Sequence, residues 1–347
     1  MPASFLRKTA IPLLILLLTA VLLPACGPSD NAASPSPSAP SSTSDSSPAQ
    51  SPAATESASP AVSEPTMRTY KDAVDRTVEV PVAPKRIIAH YYAAEMQALG
   101  VPIVGTNFIN AKLALTEEQL QGVEDIAGDG RLVPNLEKTL NLQPDLIVVP
   151  DFLQAADLDA LSKIAPTVVI GYGADALTRL SVLAELVGQP EKATDWIARY
   201  EAKAAEKRAL VQSSIKEGET ASAFILYSDD QFYVYNKQRL GPTLYDAFGF
   251  AIPLKVAELF ANNPDELWAT ISLEKLPDYA GDRLFLIAQN GTEEGKKAAE
   301  ELLQGPIWKS LPAVQNGKAY VVEDRWAMND PLTLDWLLDE MAALLSK

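Results

Sequence analysis

Cysteine and histidine are nearly absent from this sequence: each occurs once among 347 residues, as Cys26 and His90. A disulfide framework is therefore excluded, and a zinc or manganese site built from several imidazole or thiolate ligands has no residues to draw on. Basic residues are also few, because 29 Lys and Arg face 45 Asp and Glu, for a net charge of −16. Binding to nucleic acid usually needs a basic surface, so nucleic acid is not an expected partner.

Common catalytic signatures are missing as well. The sequence contains no Gly-Lys-Ser/Thr phosphate-binding loop, no HExxH zinc motif and no GxSxG nucleophile elbow. One glycine-rich segment, GYGADA at 171–176, follows a predicted strand and opens a predicted helix, which keeps an NAD-binding enzyme as an alternative. A secreted α/β hydrolase is the other form of that alternative, but its Ser-His-Asp arrangement would have to use His90. The sequence therefore favours a protein that is not an enzyme.

The N-terminal segment predicts export and anchoring. Arg7 and Lys8 precede an apolar run, 11–23, that is shorter than the roughly 20 residues of a membrane-spanning helix. The first 25 residues resemble a bacterial lipoprotein signal peptide, which implies that Cys26 is lipidated and becomes the first residue of the mature protein. Residues 26–66 are dominated by Ser, Pro and Ala and are expected to form a disordered linker. We therefore expect a protein attached to the lipid bilayer of the cell membrane, on its extracytoplasmic face.

From residue 67 onward, apolar strands alternate with amphipathic helices, which predicts an α/β fold with mostly parallel strands. A nearly continuous helical stretch covers 175–214, with Gly188 as a predicted C-cap and Pro190 at the start of its second half. The predicted domains are an N-terminal α/β lobe over 67–173, a helical spine over 174–214 and a C-terminal α/β lobe over 215–347. The predicted strands are 86–89, 101–105, 145–149, 167–170, 221–227, 283–288 and 319–322.

A repeated motif links the two halves. VPNLEKTLNLQPDLIVV in the first half is echoed by TISLEKLPDYAGDRLFLI in the second, each with an aspartate eight residues after the glutamate. Asn135 and Ser272 are good helix N-caps, so Glu137 and Glu274 are each predicted in a first helical turn that leads to a strand. The helix dipole alone favours a glutamate there by about 0.3–1 kcal/mol. Two glutamates at matched places in two lobes favour a functional role.

Four segments in order carry a family resemblance: TYKDAVDRTVEVPVAPKRII, NLEKTLNLQPDLIVV, KIAPTVVI and PIWKSLPAVQNGKAYVV. Together they resemble the solute-binding proteins of bacterial ABC importers for ferric siderophores, haem and vitamin B12. The resemblance implies two Rossmann-like α/β lobes with mostly parallel sheets, joined by a rigid interdomain helix, with the ligand cleft between the lobes. It also implies that Glu137 and Glu274, one from each lobe, dock onto an ABC permease dimer. We expect a monomer that carries a ligand and has no resident cofactor.

Residues suited to a ferric chelate cluster just past the predicted strand ends, where open α/β sheets bind ligands. Aromatic side chains suit the organic shell of a chelate, and cations or amide donors suit its oxygens. Arg239 and Trp326 are the leading candidates, whereas Trp196, Trp268, Trp308 and Trp336 are expected to pack in the core or spine. The predicted ligand-binding residues are Tyr91, Tyr92, Asn107, Arg131, Tyr172, Arg179, Tyr227, Tyr233, Asn236, Arg239, Arg325 and Trp326.

The tyrosine-rich set favours an Fe(III)-hydroxamate siderophore over a trianionic catecholate, which would need more converging cations. Because metal-binding clusters are missing, iron is expected to arrive inside a chelator, with no direct metal ligand from the protein. Haem or vitamin B12, bound by the same fold, are the alternatives. For His90, which follows the first predicted strand, a ligand contact, a haem ligand and a hydrogen-bonded residue at the cleft edge all stay open.

Overall fold

The computed structural model describes residues 66–127, 132–227, 232–264, 266–288 and 293–346. The signal peptide, Cys26, the linker up to residue 65 and Arg131 lie outside the described residues, so the predictions made for them stay predictions. None of the helices within the described ranges is long and apolar enough to cross a membrane.

The described chain opens with an antiparallel hairpin of β1 (Met67–Lys71) and β2 (Thr77–Pro81), which the sequence pattern did not predict. Its turn is held by the buried carboxylate of Asp72, which accepts hydrogen bonds from the Arg76 backbone N–H at 2.9 Å and from the Arg76 guanidinium at 2.7 Å. The Val169 backbone N–H also donates to Asp72, at 3.3 Å, so the hairpin is tied to the N-terminal lobe.

The N-terminal lobe is a parallel sheet with helices in its connections. Its strands are β3 (Ile87–Ala89), β4 (Ile103–Thr106), β5 (Glu124–Asp125), β6 (Leu146–Pro150) and β7 (Thr167–Ile170). Its helices are α1 (Ala93–Ala98), α2 (Phe108–Ala114), α3 (Leu136–Asn141) and α4 (Ala155–Ser162). The spatial order is β5-β4-β3-β6-β7, and every residue of β6 and β7 is buried, as expected for strands covered on both faces.

Two helices form the spine: α5 (Ala176–Leu186) and α6 (Pro190–Val211). The Asp175 side chain caps α5, and Gly188 adopts φ +71° after its end, the left-handed conformation that favours glycine. Pro190 is the first residue of α6, where a helix has no need of its N–H. The predicted helical stretch is therefore confirmed as two helices with a short break between them.

The C-terminal lobe is a mixed sheet. Its strands are β8 (Ala221–Leu226), β9 (Phe232–Tyr235), β10 (Trp268–Thr270), β11 (Arg283–Ala288) and β12 (Ala319–Val322). Its helices are α7 (Leu254–Leu259), α8 (Leu276–Tyr279), α9 (Glu293–Gln304), α10 (Pro306–Ser310), α11 (Pro312–Gln315) and α12 (Pro331–Leu345). The spatial order is β10-β9-β8-β11-β12, and β9 is antiparallel to both of its neighbours. The sequence did not predict the strands β5, β9 and β10. It did predict the two-lobe α/β fold, which the structure confirms.

The repeated motif occupies the same place in both sheets. β6 and β11 are each the fourth strand in spatial order, next to the central strands β3 and β8. Asp145, just before β6, accepts hydrogen bonds from the backbone N–H groups of Lys85 at 2.7 Å and Arg86 at 2.9 Å, just before β3. Asp282, just before β11, accepts bonds from the backbone N–H and hydroxyl of Thr220 at 2.9 and 2.7 Å, just before β8. The aspartate of the repeat therefore ties the fourth strand to the third in each lobe.

A single hydrophobic core cluster joins the lobes through the spine. It includes Val148 of β6, Leu183 of α5, Trp196 of α6, Phe285 of β11 and Leu337 of α12. Because this packing is continuous, a large change in the angle between the lobes would have to break apolar contacts. Small closure is therefore expected on ligand binding.

Candidate ligand-binding site

Three aromatic rings of the N-terminal lobe meet at the carboxyl ends of its strands. Tyr91 follows β3, Phe152 follows β6 and Tyr172 follows β7. Their ring centroids lie 5.3 Å apart for Tyr91 and Phe152, 5.8 Å for Tyr91 and Tyr172, and 5.3 Å for Phe152 and Tyr172, all edge to face. These are favoured geometries for aromatic pairs. The rings are only partly buried, so they present aromatic surface to a ligand.

A second aromatic group lies on the C-terminal lobe. Tyr227 follows β8, Tyr233 belongs to β9 and Trp268 begins β10. The ring centroids of Tyr227 and Tyr233 are 5.5 Å apart, and those of Tyr233 and Trp268 are 6.1 Å apart. The pairing of β9 with β10 brings Trp268 beside the tyrosines.

Arg239 joins the two aromatic groups. Its guanidinium carbon lies 4.7 Å from the centroid of Trp268 and 5.9 Å from that of Tyr172, within the range of cation–π attraction. Its Nη1 donates to the carbonyl oxygen of Ala327 at 2.6 Å, and its Nη2 donates to the Tyr172 hydroxyl at 3.3 Å. Among the described residues, Nε has no partner. The arrangement is a buried cation with a spare donor between aromatic surfaces, which suits the oxygen atoms and carbon skeleton of a chelate.

Arg239 also has an unusual backbone conformation, with φ +57°. A non-glycine residue with positive φ costs free energy that the surrounding structure must offset. Its hydrogen bonds to Ala327 and Tyr172 hold it there.

Three of the predicted ligand-binding residues have structural roles. The Tyr92 ring is buried, and its hydroxyl donates to the carbonyl oxygen of Ile170 at 2.9 Å. Asn107 is the N-cap of α2 and is also buried. The Asn236 amide donates to the carbonyl oxygens of Pro264 at 2.7 Å and Glu266 at 2.9 Å. Burial disfavours direct ligand contact by these three, and such contact stays an untested prediction.

Trp326 is also placed differently from the sequence prediction. It is 4% exposed and belongs to the hydrophobic core, where its ring stacks on Phe285 with centroids 6.2 Å apart and meets Trp336 edge to face at 5.9 Å. The neighbouring Arg325 lies over Trp336, with 4.3 Å from its guanidinium carbon to the ring centroid. The sequence assigned Trp268 to the core and Trp326 to the cleft, whereas the structure places Trp268 against Arg239 and buries Trp326.

Sequence reasoning missed Trp268 because its neighbours were not predicted. The strands β9 and β10 were not predicted, so the sequence did not indicate that Trp268 would lie beside Tyr233. The composition of the segment 232–235, FYVY, is typical of a strand and was the available signal.

His90 is completely buried, at 0% exposure, and neither of its ring nitrogens has a partner among the described residues. Burial without a partner disfavours the charged imidazolium, so the pKa of His90 falls to about 3. Haem ligation would need an accessible imidazole, so the burial argues against it. The structure also does not show His90 as a hydrogen-bonded residue at the cleft edge, because its ring is buried and has no hydrogen-bond partner among the described residues.

We expect His90 to make stability depend on pH. The unfolded chain binds a proton near pH 6.5 and the folded chain only near pH 3, so stability is fully present above about pH 6.5 and is lost as the pH falls toward 3. At pH 5 the loss is about 2 kcal/mol in the free energy of unfolding. Because His90 is the only histidine, denaturant unfolding of His90→Gln beside the wild type isolates it. An equal pH dependence in both proteins would contradict the low pKa.

Other features of the described residues bear on what could bind. A cavity of about 860 Å³ lies between the spine and the C-terminal lobe, and its lining includes Gly173, Tyr200, Arg208 and Gln238.

Among the described ranges, no group of three or more His, Cys, Asp or Glu side chains could hold a metal ion. The GYGADA segment follows β7, an edge strand, whereas a dinucleotide fingerprint follows the first strand at the centre of its sheet.

Comparison with known proteins gives consistent matches. Residues 92–325 match a family model described as periplasmic binding protein. Over 287 residues the chain is 33% identical to a Bacillus subtilis (strain 168) protein named iron(3+)-hydroxamate-binding protein FhuD, which covers 80% of this chain and 86% of that protein. Over 286 residues it is 30% identical to the iron(3+)-hydroxamate-binding protein YxeB of the same organism, covering 81% of this chain and 86% of that protein.

Solved structures match the fold over most of the chain. The structure of FhuD2 from Staphylococcus aureus with bound ferrioxamine B superposes with a TM-score of 0.65 at 29% identity. The superposition covers 76% of this chain and 98% of that chain. The likeness therefore extends over both lobes and the spine.

Proposed function

The chain belongs to the periplasmic binding protein family, and from this premise we propose that it captures a ferric siderophore outside the cytoplasm and delivers it to an ABC permease. It is the substrate-binding protein of the importer and not an enzyme. The energy for transport comes from the permease complex, and the binding protein returns its ligand chemically unchanged.

One observation carries the proposal: Arg239 stands between aromatic side chains of both lobes. Tyr172 reaches it from the N-terminal lobe and Trp268 from the C-terminal lobe. A ligand that bridges the lobes would meet aromatic surface on both sides and a cationic donor in the middle. Arg179, another buried arginine beside Tyr172, is paired with Glu95 and with backbone carbonyl groups, so the site suits a chelate of low net charge.

A hydroxamate siderophore fits this chemistry best. Three hydroxamates neutralise Fe(III), so the complex needs carbon-packing surface and a few donors for its oxygens, whereas a trianionic catecholate needs several cations. Tyr91, Tyr172, Tyr227 and Tyr233 supply amphipathic rings around Arg239. The sequence relatives named for iron(3+)-hydroxamate binding support the same choice.

We expect a titration of the protein with ferrioxamine B, a ferric catecholate, haem and cobalamin to rank the ferric hydroxamate first. Its affinity should exceed that of the others by about tenfold or more, or about 1.4 kcal/mol in binding free energy. Intrinsic tryptophan fluorescence reports binding, because Trp268 lies in the site. Stronger binding of haem or cobalamin would replace the hydroxamate assignment with that ligand, and turnover of a bound compound would refute the binding-protein role.

Two tryptophan variants localise the titration signal. Trp268→Phe keeps an aromatic ring under Arg239 and should remove the largest share of the quenching. Trp308→Phe is the matched control, because Trp308 is buried in a separate core cluster of the C-terminal lobe. Equal quenching in the two variants would place the ligand away from Trp268.

Glu137 and Glu274 are proposed to dock onto the permease dimer, one from each lobe. Both are exposed at the start of a helical turn, although Ser272 does not cap the second turn as predicted. The Glu274 carboxyl accepts hydrogen bonds from the Glu274 backbone N–H and from the Ser272 hydroxyl. These bonds lower the pKa of the carboxyl, so Glu274 is ionised at neutral pH.

The surface around each glutamate also supports docking. Leu136 and Leu273, the residues directly before the glutamates, are 44% and 38% exposed, and Leu140 is exposed one turn after Leu136. Apolar side chains beside a charge are typical of protein–protein interfaces, which have an apolar centre and a polar rim. The Leu-Glu-Lys repeat therefore places an apolar contact beside each acidic one.

Anchoring completes the proposal. A lipid on Cys26 and the linker over 26–66 would let the folded domain reach both incoming siderophore and a permease in the same membrane. Relatives named as lipoproteins support this location, which is the extracytoplasmic face of the cell membrane. The protein would act there as a monomer.

A further inference from the structure

A second buried arginine, Arg179 of α5, lies beside the proposed site. Its Nε donates to Oε1 of Glu95 at 2.7 Å, and its Nη2 lies 2.7 Å from the same oxygen. Its Nη1 donates to the carbonyl oxygens of Ala174 at 3.0 Å and Tyr172 at 3.3 Å, and its Nη2 donates to the carbonyl oxygen of Asn329. Each of the three guanidinium nitrogens therefore donates at least one hydrogen bond to a protein atom.

These acceptors come from both lobes. Glu95 of α1 and Tyr172 belong to the N-terminal lobe, whereas Asn329 lies on the segment that leads from β12 of the C-terminal lobe to α12. The Asn329 side-chain amide also donates to the carbonyl oxygen of Ala174, the first residue of the spine, at 3.3 Å. Arg179 thus links the N-terminal lobe to the segment by which the chain leaves the sheet of the C-terminal lobe.

Arg239, from the C-terminal lobe, bonds to the same residue, Tyr172, and to the same segment, 327–329. It donates to the Tyr172 hydroxyl and to the carbonyl oxygen of Ala327, while Arg179 donates to the Tyr172 carbonyl and to that of Asn329. Tyr172 and the segment 327–329 are therefore held by two guanidinium groups. We call this arrangement the arginine clamp.

The clamp tolerates little movement. Glu95 is 1% and Arg179 is 3% exposed, so water cannot replace a lost partner without entering the interface. A guanidinium has a rigid planar fork of donors, and a pair held by two of them has a defined geometry. Moving the lobes apart would leave buried donors of Arg179 and buried carbonyl groups unsatisfied, which is costly.

We propose that Arg179 is a positioning residue: the arginine clamp fixes the spacing of the lobes and the orientation of Tyr172 before ligand arrives. Arg179 was a ligand contact in the sequence prediction, and this assignment gives it a role through Tyr172 instead. The consequence for affinity rests on the proposed function, but the consequence for lobe spacing does not. Without the clamp, a smaller fraction of molecules has the binding-competent arrangement, and the apparent affinity falls by that fraction.

The test replaces the ion pair with apolar side chains, Arg179→Met with Glu95→Leu. Exchange of a whole buried ion pair for apolar residues of similar volume is often tolerated, whereas removal of one partner is not. Spin labels on Asp159→Cys of α4 and Glu300→Cys of α9, both exposed, report the distance between the lobes by pulsed electron paramagnetic resonance. The full chain carries Cys26→Ser, so that the introduced thiols are the only ones.

We expect the variant to give a broader distribution of label distances than the wild type in the absence of ligand. We also expect its apparent Kd for ferrioxamine B to rise about tenfold, as for a competent fraction reduced to about a tenth. Arg179→Lys is a second variant, which keeps the charge beside Glu95 but lacks the forked donors. It should broaden the distribution to a smaller extent.

The matched control is another buried Arg–Glu pair, Arg283 with Glu219, which lies within the C-terminal lobe at 3.1 Å. Arg283→Met with Glu219→Leu should leave the distance distribution and the Kd unchanged, whatever its effect on melting temperature. Wild-type distributions in both Arg179 variants would overturn the proposal. Failure of the wild type to bind ferrioxamine B would refute the proposed ligand, while the label distances would still decide the role of the clamp.

Discussion

Uptake of a ferric hydroxamate is expected to fall to background when Glu137 and Glu274 are both replaced by lysine. Each substitution reverses the charge at a proposed permease contact, so that an attraction to basic groups becomes a like-charge contact, which costs several kcal/mol. Both contacts are needed to seat a two-lobed protein over one pore, so the two penalties act together. Cellular uptake of ⁵⁵Fe-ferrioxamine B, in cells that lack other hydroxamate-binding proteins, measures the effect.

The solution affinity of this double variant for ferrioxamine B should stay the same, since both glutamates are exposed and the described contacts of Arg239 are with Tyr172, Trp268 and Ala327. The charge-matched control is Glu191→Lys with Glu300→Lys, two exposed positions on α6 and α9. Both double variants change the net charge equally, from −16 to −12, so long-range electrostatics are the same in both. Normal uptake by the Glu137/Glu274 variant, or equal loss in the control, would contradict docking through these glutamates.

The sequence predicted the fold because its signals are local and repeated. The apolar runs of β6 and β11 and the capped, proline-started spine helices each specify their own structure without reference to distant residues. The Leu-Glu-Lys repeat predicted matching helix-to-strand units, and both lead to the fourth strand of a sheet. The structural meaning of the aspartate in the repeat needed coordinates, because its partners lie on a neighbouring strand.

The site was harder to predict because strand ends do not specify which way a side chain points. Tyr91 and Tyr92 are adjacent, yet Tyr91 joins the aromatic group while Tyr92 turns into the core. Arg179 and Arg239 were both predicted as ligand contacts, but each guanidinium nitrogen of Arg179 is hydrogen-bonded to a protein atom, whereas Nε of Arg239 has no partner among the described residues. Trp268 depended on β9 and β10, whose short antiparallel pairing leaves a weak sequence signal.

Arg239→Met is expected to weaken the binding of ferrioxamine B by about a hundredfold, or about 3 kcal/mol. The variant removes the cation between Tyr172 and Trp268 together with its spare Nε donor. A hydrogen bond from a charged donor contributes about 1.5–3 kcal/mol, so loss of the bond from Nε to a hydroxamate oxygen, together with loss of the cation, accounts for the effect. Methionine keeps much of the apolar volume, so the aromatic groups retain contacts. Fluorescence titration gives the Kd, and thermal unfolding shows whether the variant is folded.

Arg239→Lys separates charge from geometry at the same position. Lysine keeps the positive charge but cannot donate at once to Ala327 and Tyr172 and still offer a further planar N–H to the ligand. We expect it to recover only part of the affinity lost in Arg239→Met. The control is Arg283→Met, which removes an equally buried arginine of the same lobe whose partners, Ser214, Glu219 and Tyr320, are not members of either aromatic group. A Kd in Arg239→Met that matches the wild type would move the ligand away from Arg239, because no ligand seated between Tyr172 and Trp268 could be indifferent to the cation they share.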